Sequence, residues 1–164
     1  KRYVLAVGDI HPRKNIGSLA RAMALLDDRD LELALVGRPA LGGDQIVRGA
    51  NAHWLGHVND EQLADLYRAA AVVCVPSLYE GFGLPILEAM ACGAPVVASD
   101  RGSMPEIAGD GAIVAAPTPE ALAMAIGEAL DPERAERLGV AGAAQAAQFT
   151  EQAMGDAGWS ALRP

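Results

Sequence analysis

The chain has 164 residues, of which 51% are hydrophobic and 21% charged, so it suits one compact domain with a substantial core. Its formal net charge of -8 disfavours a nucleic-acid partner, because contact with a phosphate backbone needs a basic surface. No apolar run approaches the roughly 20 residues of a membrane span, and residues 1–7 predict a strand rather than a signal peptide. We therefore expect a single domain over residues 1–164, located in the cytoplasm.

Short β-branched runs alternate with helical patterns along the whole chain, which indicates βα units around a parallel sheet. We predict an α/β fold with a parallel sheet of about six strands and helices on both faces. The predicted strands are Tyr3–Val7, Leu31–Val36, His53–Leu55, Val72–Val75, Pro95–Ala98 and Ala112–Val114.

Capping residues mark the helix starts between these strands. Asn15 is expected to cap a first helix, whose apolar residues recur at three- and four-residue steps. Asn59 and Gln62 resemble the capping box of a second helix, with Tyr67 in its buried stripe. Three later helices are predicted after Thr118-Pro119-Glu120, Asp131-Pro132-Glu133 and Thr150-Glu151, the last of them over about 150–162.

The cysteines and histidines do not indicate a metal site. Cys74 falls in an apolar strand and Cys92 ends a helical run, without His or acidic residues at ligand spacing around them. Both are therefore expected to be reduced and to pack as small hydrophobes. His11, His53 and His57 lack the spacing of zinc ligands as well. We expect no bound metal.

The loops that follow the strands hold the candidate functional residues, because ligands of such sheets bind beyond the carboxyl ends of the strands. The segment 37–49 is the longest irregular one. In strand order, the suggestive residues are Gly8 with Arg13 and Lys14, then Gly37 with Arg38, then His57 with Val58, and then the segment 76–83.

The segment YEGFGLPILE, residues 79–88, predicts an anion site at a helix start. Pro85 suits the first helical position, which leaves the N–H groups near Gly83, Leu84 and Ile86 unpaired at the positive end of the helix. Gly83 has no side chain to keep a ligand away. A phosphate is the expected ligand of such a helix end.

Two glutamates flank this loop. Glu88 lies one turn into the helix and points back toward its start. Because a carboxylate repels phosphate, Glu88 suits neutral hydroxyls such as those of a ribose. Glu80 is placed to meet hydroxyls of whatever the phosphates carry, and Arg13 and Lys14 bring the positive charge that two phosphates need. The predicted ligand is a nucleoside diphosphate joined to a polyol.

The same features also fit an ordinary strand-loop-helix unit, in which Glu88 complements the helix dipole and Arg13 and Lys14 are solvated. Their grouping on one sheet edge favours the functional interpretation. The D-x-D sequence of residues 28–30 matches a metal-binding pattern of some sugar-transfer enzymes, but it precedes the second strand and lies at the opposite edge. The dinucleotide fingerprint and the P-loop sequence are both missing, which disfavours nicotinamide cofactors and P-loop ATPases.

The run from Glu80 to Glu88 resembles the E-x7-E motif of the retaining glycosyltransferases of family 4, the group-1 glycosyl transferases of GT-B fold. The resemblance extends over about Tyr3 to Leu130 and implies a carboxyl-terminal Rossmann-like domain that binds the nucleotide-sugar donor. The flanking stretches that carry it are Pro76-Ser77, Glu80-Gly81-Phe82-Gly83-Leu84-Pro85, the run 88–100 (EAMACGAPVVASD), Pro105-Glu106-Ile107 and Gly109-Asp110-Gly111.

The resemblance also implies roles for single residues. Glu88 binds the ribose hydroxyls, Glu80 contacts the donor sugar, and Lys14 with Arg13 neutralises the departing diphosphate without metal or other cofactor. Transfer proceeds with retention at the anomeric carbon. The catalytic set is thus Glu80, Lys14 and Arg13, and the implied substrate-binding residues are Gly8, Phe82, Gly83, Leu84, Glu88 and, near the base, Gly37, Arg38, His57 and Val58.

The chain departs from the family pattern at Asp9, where many relatives carry an arginine, and Arg13 is the candidate replacement. The loop around Arg13 resembles that of the mannosyltransferase-like branch, which points to GDP-mannose as donor. The fold also implies an amino-terminal acceptor-binding domain as the missing partner, and it allows peripheral membrane association of the full-length enzyme. Without that domain, the chain is expected to bind donor poorly and to transfer nothing. Trp159 then packs either at the interdomain boundary or in the core.

Two alternatives stay open at this point. A nucleotide-sugar epimerase of GT-B-like fold needs additional acid-base carboxylates in the cleft. A non-catalytic module binds a nucleotide or a protein partner through the same sheet edge and needs no reacting group. Nucleotide titrations and the sequence that precedes residue 1 in the full-length protein distinguish these possibilities from a glycosyltransferase.

Overall fold

The computed structural model describes residues 1–9, 11–38 and 51–149. Its strands form one parallel sheet in the order β3-β2-β1-β4-β5-β6. All six predicted strands are confirmed, and β5 and β6 begin one residue later than expected. The strand bounds are β1 (Arg2–Val7), β2 (Leu31–Val36), β3 (Ala52–Gly56), β4 (Val72–Val75), β5 (Val96–Ser99) and β6 (Ile113–Ala115).

Helices begin directly after the predicted caps Asn59, Thr118 and Asp131, and each of these side chains accepts a hydrogen bond from an N–H of the first turn. Asn59 accepts a hydrogen bond from the Gln62 N–H and the Gln62 side chain accepts one from the Asn59 N–H, so the capping box is confirmed. The predicted helix at about 150–162, with Trp159, lies outside the described residues. The helix bounds are α1 (Ile16–Leu26), α2 (Asp60–Ala69), α3 (Leu84–Ala91), α4 (Met104–Ala108), α5 (Pro119–Ala129) and α6 (Pro132–Ala146), with short 3₁₀ turns at Pro12–Lys14 and Gly109–Gly111.

The core consists of two apolar clusters on opposite faces of the sheet. In β1, Val4 and Ala6 belong to one cluster and Leu5 to the other, because successive side chains of a strand point to opposite faces. Helices α1 and α5 cover the Val4 face, whereas α2, α3 and α4 cover the Leu5 face. Burial on both faces explains why the central strands are almost continuously apolar. Helices on both faces are therefore confirmed.

Asn15 occupies the position before α1, but the predicted side-chain cap is wrong. Its backbone is left-handed, with φ 54°, and its N–H closes the preceding 3₁₀ turn by donating to the Pro12 carbonyl at 3.1 Å. This conformation directs the side-chain amide away from the helix start. The amide donates instead to the carbonyls of Pro76 and Pro117, at 3.1 and 2.9 Å. Asn15 thus ties the loop after β1 to the loops after β4 and β6.

Among the helices that the structure describes, none combines the length and the apolar composition that a bilayer crossing requires.

Candidate functional site

The loops after β1 and β4 are joined at the carboxyl edge of the sheet. These two strands are neighbours in the sheet, so their loops leave it side by side. The Leu78 N–H donates to the Arg13 carbonyl at 2.7 Å, and the Asn15 amide reaches the Pro76 carbonyl. The chain therefore places Arg13 and Lys14 next to the segment that carries Glu80, although 66 or more positions separate them in sequence.

Glu80 is the centre of this junction. Its Oε1 accepts from the Lys14 ammonium at 2.6 Å and from the Ser77 hydroxyl at 2.6 Å, and its Oε2 pairs with Arg13 Nη1 at 3.1 Å. The side chains of Glu80 and Lys14 are only 8% and 10% exposed, whereas that of Arg13 is 45% exposed. The three residues predicted as the catalytic set thus lie in one cluster, with Ser77 as a fourth member that the sequence analysis did not assign.

The Glu80 carboxyl is held in its ionised form. Burial raises its pKa, but the hydrogen bonds from Lys14 and Ser77, together with the charges of Lys14 and Arg13, lower the pKa by more. The net pKa of Glu80 therefore lies below its ordinary value. A permanent negative charge at this position keeps the two cations in place at neutral pH.

Gly8 makes room for Lys14. Its φ of 129° is a value that side-chain-bearing residues rarely adopt, and a Cβ here would lie 2.8 Å from Lys14 Cε and 2.9 Å from Nζ. The Lys14 side chain therefore passes directly over the Gly8 backbone on its way to Glu80. Gly8 thus lies against the Lys14–Glu80 pair, where its lack of a side chain leaves room for Lys14; its predicted contact with substrate stays a prediction.

Glu88 lies on the first turns of α3 and is half-buried. Its Oε2 accepts a hydrogen bond from the Tyr67 hydroxyl at 2.8 Å. Burial raises the pKa of Glu88 and the negative charge of Asp60 adds to this, whereas the Tyr67 hydrogen bond and the charge of Lys14 lower the pKa; the net pKa is above its ordinary value. Glu88 is thus close enough to Lys14 to sense its charge. Its partner Tyr67 was predicted only as part of a buried stripe.

The start of α3 differs in detail from the sequence prediction. The helix begins at Leu84 with Gly83 as its N-cap at φ 75°, so Pro85 is the second helical residue. The Ile86 N–H donates to the Gly83 carbonyl at 2.9 Å, and its predicted availability to a ligand is therefore wrong. Within the described part of the chain, the N–H groups of Gly83 and Leu84 have no hydrogen-bond acceptor. These two amides are therefore the donors that this helix end leaves available, and their predicted binding of an anion stays a prediction.

Asp9 and Arg38 form the opposite rim of the edge, after β1 and β2. Asp9 accepts from the Arg38 N–H at 2.8 Å and pairs with Arg38 Nη2 at 2.9 Å. The backbone and side-chain hydrogen bonds of Arg38 lower the pKa of Asp9, and the charge of His57 contributes to the same shift. His57 is exposed, whereas Val58 packs partly into the core cluster on the Leu5 face. The residues expected near the base are thus grouped together, with Arg38 bound to Asp9.

Gly37 allows the β1 and β2 loops to touch. Its φ is 130°, and a Cβ would lie 2.5 Å from the carbonyl carbon and oxygen of Gly8. The Gly37 N–H donates to the Gly56 carbonyl at 2.9 Å, which links the end of β2 to the end of β3. Gly37 therefore joins the Asp9 side of the edge to the loop that carries His57.

Phe82 and Leu84 present apolar surface beside the glycine loop, with 38% and 40% of their surface exposed. The Phe82 ring packs edge-to-face against Phe149, with ring centroids 6.2 Å apart and an interplanar angle of 84°. The substrate contact expected of this segment was assigned to its backbone and stays a prediction.

The D-x-D sequence lies at the amino edge, as predicted. Asp28 pairs with Arg2, the first residue of β1, at 2.8 Å. In the described ranges, no group of three or more His, Cys, Asp or Glu side chains is arranged to hold a metal ion. The Glu80 cluster lies at the opposite, carboxyl edge of the sheet.

Comparisons with known proteins give the family. A family profile described as "Glycosyl transferases group 1" matches residues 1–132. The O-antigen chain mannosyltransferase B of Escherichia coli is 43% identical over 160 residues, covering 90% of this chain and 42% of that protein. The MMP alpha-(1->4)-mannosyltransferase of Mycolicibacterium hassiacum is 40% identical over 147 residues, covering 82% of this chain and 36% of that protein.

A solved structure agrees with these relatives. The sucrose-phosphate synthase from Thermosynechococcus elongatus superposes with a TM-score of 0.83 and 35% identity, covering 94% of this chain and 43% of that chain. This chain spans about two fifths of the length of the curated relatives named here. Because the family profile matches most of the chain and the sheet has the fold of these enzymes, the chain is a glycosyltransferase domain that belongs to the group 1 glycosyl transferases.

Proposed function

We propose that this chain is the donor-binding domain of a retaining glycosyltransferase, which transfers a sugar from a nucleoside-diphosphate sugar to an acceptor. GDP-mannose is the first donor to test, because two of the relatives named above are mannosyltransferases. One observation carries the proposal: Arg13 and Lys14 converge at Glu80, next to the loop whose free amides start α3. This arrangement suits a diphosphate that carries hydroxyl-bearing groups on both sides.

The two cations suit a departing diphosphate. Lys14 has three N–H donors and directs one of them to Glu80, and the Arg13 guanidinium has further N–H groups beyond the one bound to Glu80. The remaining donors, with the amides of Gly83 and Leu84, stabilise the charge that develops on the phosphates as the bond to the sugar breaks. We propose that this occurs without a metal and that Arg13 replaces the arginine that relatives carry at position 9.

Glu80 both holds the cations and contacts the donor sugar in this proposal. A carboxylate offers about four lone-pair positions, and Lys14, Ser77 and Arg13 occupy three of them. The remaining position accepts a hydrogen bond from a sugar hydroxyl. Glu80 therefore orients the sugar over the diphosphate while it remains in its ion pairs.

The nucleoside lies across the β1 and β2 loops. Glu88 accepts hydrogen bonds from the ribose hydroxyls through the oxygen that Tyr67 leaves free, and the base packs near Gly37, Arg38, His57 and Val58. The acceptor binds to an amino-terminal domain of the longer protein. The short coverage of the relatives supports such a domain. A cytoplasmic location and peripheral membrane association of that longer protein stay predictions.

Calorimetry tests the proposal. GDP, UDP and ADP are titrated into the chain and its Glu88→Ala and Lys14→Ala variants, with Glu120→Ala, an exposed substitution on α5, as the matched control. One nucleotide is expected to bind and to raise the free energy of unfolding by about 2.7 kcal/mol at a hundredfold excess over its Kd. Glu88→Ala and Lys14→Ala weaken binding, and Glu120→Ala does not.

The other candidates give different results. Binding of none of these nucleotides at millimolar concentration contradicts the proposal. An epimerase needs further acid-base carboxylates, and Asp9 at this edge is already bound to Arg38. Nucleotide binding that is unaffected by Glu88→Ala or by Lys14→Ala identifies a nucleotide-binding module with a site elsewhere.

A further inference from the structure

The Tyr67 hydroxyl is buried and makes one directed contact. Tyr67 of α2 has no exposed surface, belongs to the core cluster on the Leu5 face of the sheet, and donates to Glu88 Oε2 at 2.8 Å. In the residues that the structure describes, no other donor reaches the Glu88 carboxylate. Burial and the neighbouring Glu88 charge raise the pKa of Tyr67 well above its ordinary value, so this hydroxyl keeps its proton and remains a donor.

We propose that Tyr67 is a positioning residue: its hydroxyl fixes the Glu88 carboxylate so that Oε1 faces the ribose hydroxyls of a nucleoside diphosphate. This inference rests on the proposed function, in which Glu88 binds the ribose. It adds Tyr67, to which the proposed function assigns no role. A carboxylate with one oxygen fixed loses less rotational freedom when it binds a diol, so the hydrogen bond pre-organises the site.

A purely structural role does not need a carboxylate at this place. A buried phenol requires an acceptor, and Tyr3 shows how the same helix meets that need: its hydroxyl donates to the Leu66 carbonyl at 2.7 Å. A carboxylate acceptor is more costly, because burial of Glu88 disfavours its charged form. The use of Glu88 as the acceptor therefore fits a function for the fixed carboxylate.

The hydrogen bond from Tyr67 also favours the ionised form of Glu88, because it lowers the pKa that burial raises. The groups that act on Glu88 are Tyr67 and Asp60 of α2, Lys14 after β1 and Cys92 at the end of α3. Tyr67 and Lys14 favour the charged carboxylate, whereas burial and Asp60 oppose it. Loss of the Tyr67 hydroxyl therefore raises the pKa of Glu88 further, and ribose binding then weakens most at mildly acidic pH.

The test compares a ribonucleoside diphosphate with its dideoxy analogue, which lacks both ribose hydroxyls. Wild type is expected to prefer the ribonucleotide by roughly tenfold or more, the range of hydrogen bonds to a charged group. Y67F is expected to reduce this preference at least about threefold, with a larger loss at mildly acidic than at mildly alkaline pH. Y3F is the control, because it removes a tyrosine hydroxyl that donates to α2 at the Leu66 carbonyl and not to Glu88. It is expected to leave the preference unchanged.

The outcomes separate the two proposals. If wild type binds no nucleotide, the proposed function is wrong, and the positioning role of Tyr67, which depends on it, is wrong as well. If wild type prefers the ribonucleotide and E88Q abolishes the preference, the proposed function stands; an unchanged preference in Y67F then overturns the role of Tyr67 alone.

A second measurement keeps the hydroxyl at position 67. Fluorine NMR of the chain labelled with fluorotyrosine, assigned with Y3F and Y79F, reports on Tyr67 if Y67F does not fold. Its resonance is expected to titrate with Glu88 and to shift with the ribonucleotide but not with the dideoxy analogue. A resonance that responds to neither overturns the proposal.

Discussion

Glu80 makes more contacts within the protein than a residue that only binds a substrate would need. It binds Lys14, Arg13 and Ser77 at the same time, and its side chain is 8% exposed. Removal of the carboxylate charge leaves the Lys14 ammonium, which is 10% exposed, without its partner. A buried ion pair is strongly disrupted by loss of one member, even where the pair itself adds little net stability.

We therefore expect Glu80→Gln to lower the free energy of unfolding by about 1–3 kcal/mol at neutral pH. The double variant Lys14→Met, Glu80→Gln recovers part of this loss, because it leaves no unpaired charge. Urea unfolding of the four members of the cycle gives the coupling energy. Glu32→Gln is the matched control: Glu32 pairs with Lys1 at 2.7 Å, but Lys1 is 57% exposed and the pair is screened by solvent, so the loss is expected to be much smaller than that of Glu80→Gln.

A pH titration of stability checks the same ion pair. The pKa of Glu80 is lowered in the fold, so its stabilising contribution is present above the unfolded pKa of about 4.3 and is lost as pH falls through the lower folded pKa. Wild type and Glu80→Gln are thus expected to differ most near neutral pH and to converge in acid. A difference that grows with acidity contradicts this assignment.

Glu88 behaves in the opposite way. Its pKa is raised in the fold, chiefly by burial, so the group favours folding below its unfolded pKa, and this contribution is lost as pH rises through the folded pKa. Glu88→Gln keeps an acceptor for Tyr67 and removes the buried charge. At neutral pH we expect it to raise the free energy of unfolding by up to about 1 kcal/mol while it weakens nucleotide binding. If Glu88→Gln instead lowers the free energy of unfolding, the buried charge of Glu88 does not destabilise the fold, and this prediction is wrong.

At the residue scale, the sequence predicted the charged members of the site and missed their neutral partners. Glu80, Glu88 and Lys14 could be chosen from the sequence because they fall at the same edge of the predicted sheet. Each has an ordinary structural use when taken alone, and only their grouping favoured the functional interpretation. Ser77 and Tyr67 act through contacts made only after folding. The available signal was the phenol of Tyr67 in a buried stripe, because a buried tyrosine hydroxyl usually finds an acceptor.

At the scale of elements, the strands and the capped helices were predictable because each depends on local patterns. Apolar strand residues and the Asn59 capping box lie within a few positions of each other. Asn15 was misjudged because its conformation depends on a 3₁₀ turn before it and on carbonyls 61 and 102 positions away. Ile86 was misjudged because α3 begins one residue before Pro85.

The junction of β1 and β2 provides a test at this scale. Gly37→Ala brings a Cβ to within 2.5 Å of the Gly8 backbone, which cannot move aside as a flexible side chain does. Gly56→Ala is the matched control, because Gly56 also has a positive φ, 71°, but nothing lies within 4 Å of its Cβ position. We expect Gly37→Ala to lose at least about 2 kcal/mol more in thermal or urea unfolding. Equal losses contradict the close approach of the two loops.

At the scale of the whole molecule, the strand order positions the site. The order β3-β2-β1-β4-β5-β6 changes direction between β1 and β4, and a crevice forms there beyond the carboxyl ends of the strands. The loops with Lys14 and Glu80 come from these two strands. The sequence predicted six strands but not their order, because local patterns do not specify which strands pair. The meeting of these two loops therefore emerges only from the folded chain.

The last prediction concerns the longer protein of which this chain forms the donor-binding domain in our proposal. The loop that carries Glu80 has several exposed apolar side chains, which nothing in the described residues covers. They are Leu78, Tyr79, Phe82 and Leu84. We expect residues 1–164 to bind a nucleoside diphosphate but to release no sugar from its donor, whereas the longer protein transfers sugar to an acceptor. Radiolabelled donor, assayed with both proteins and with Lys14→Ala in the longer one, measures this directly. Transfer by residues 1–164 alone contradicts the need for an acceptor-binding domain, and full activity of the Lys14→Ala protein contradicts the role of Lys14 at the leaving group.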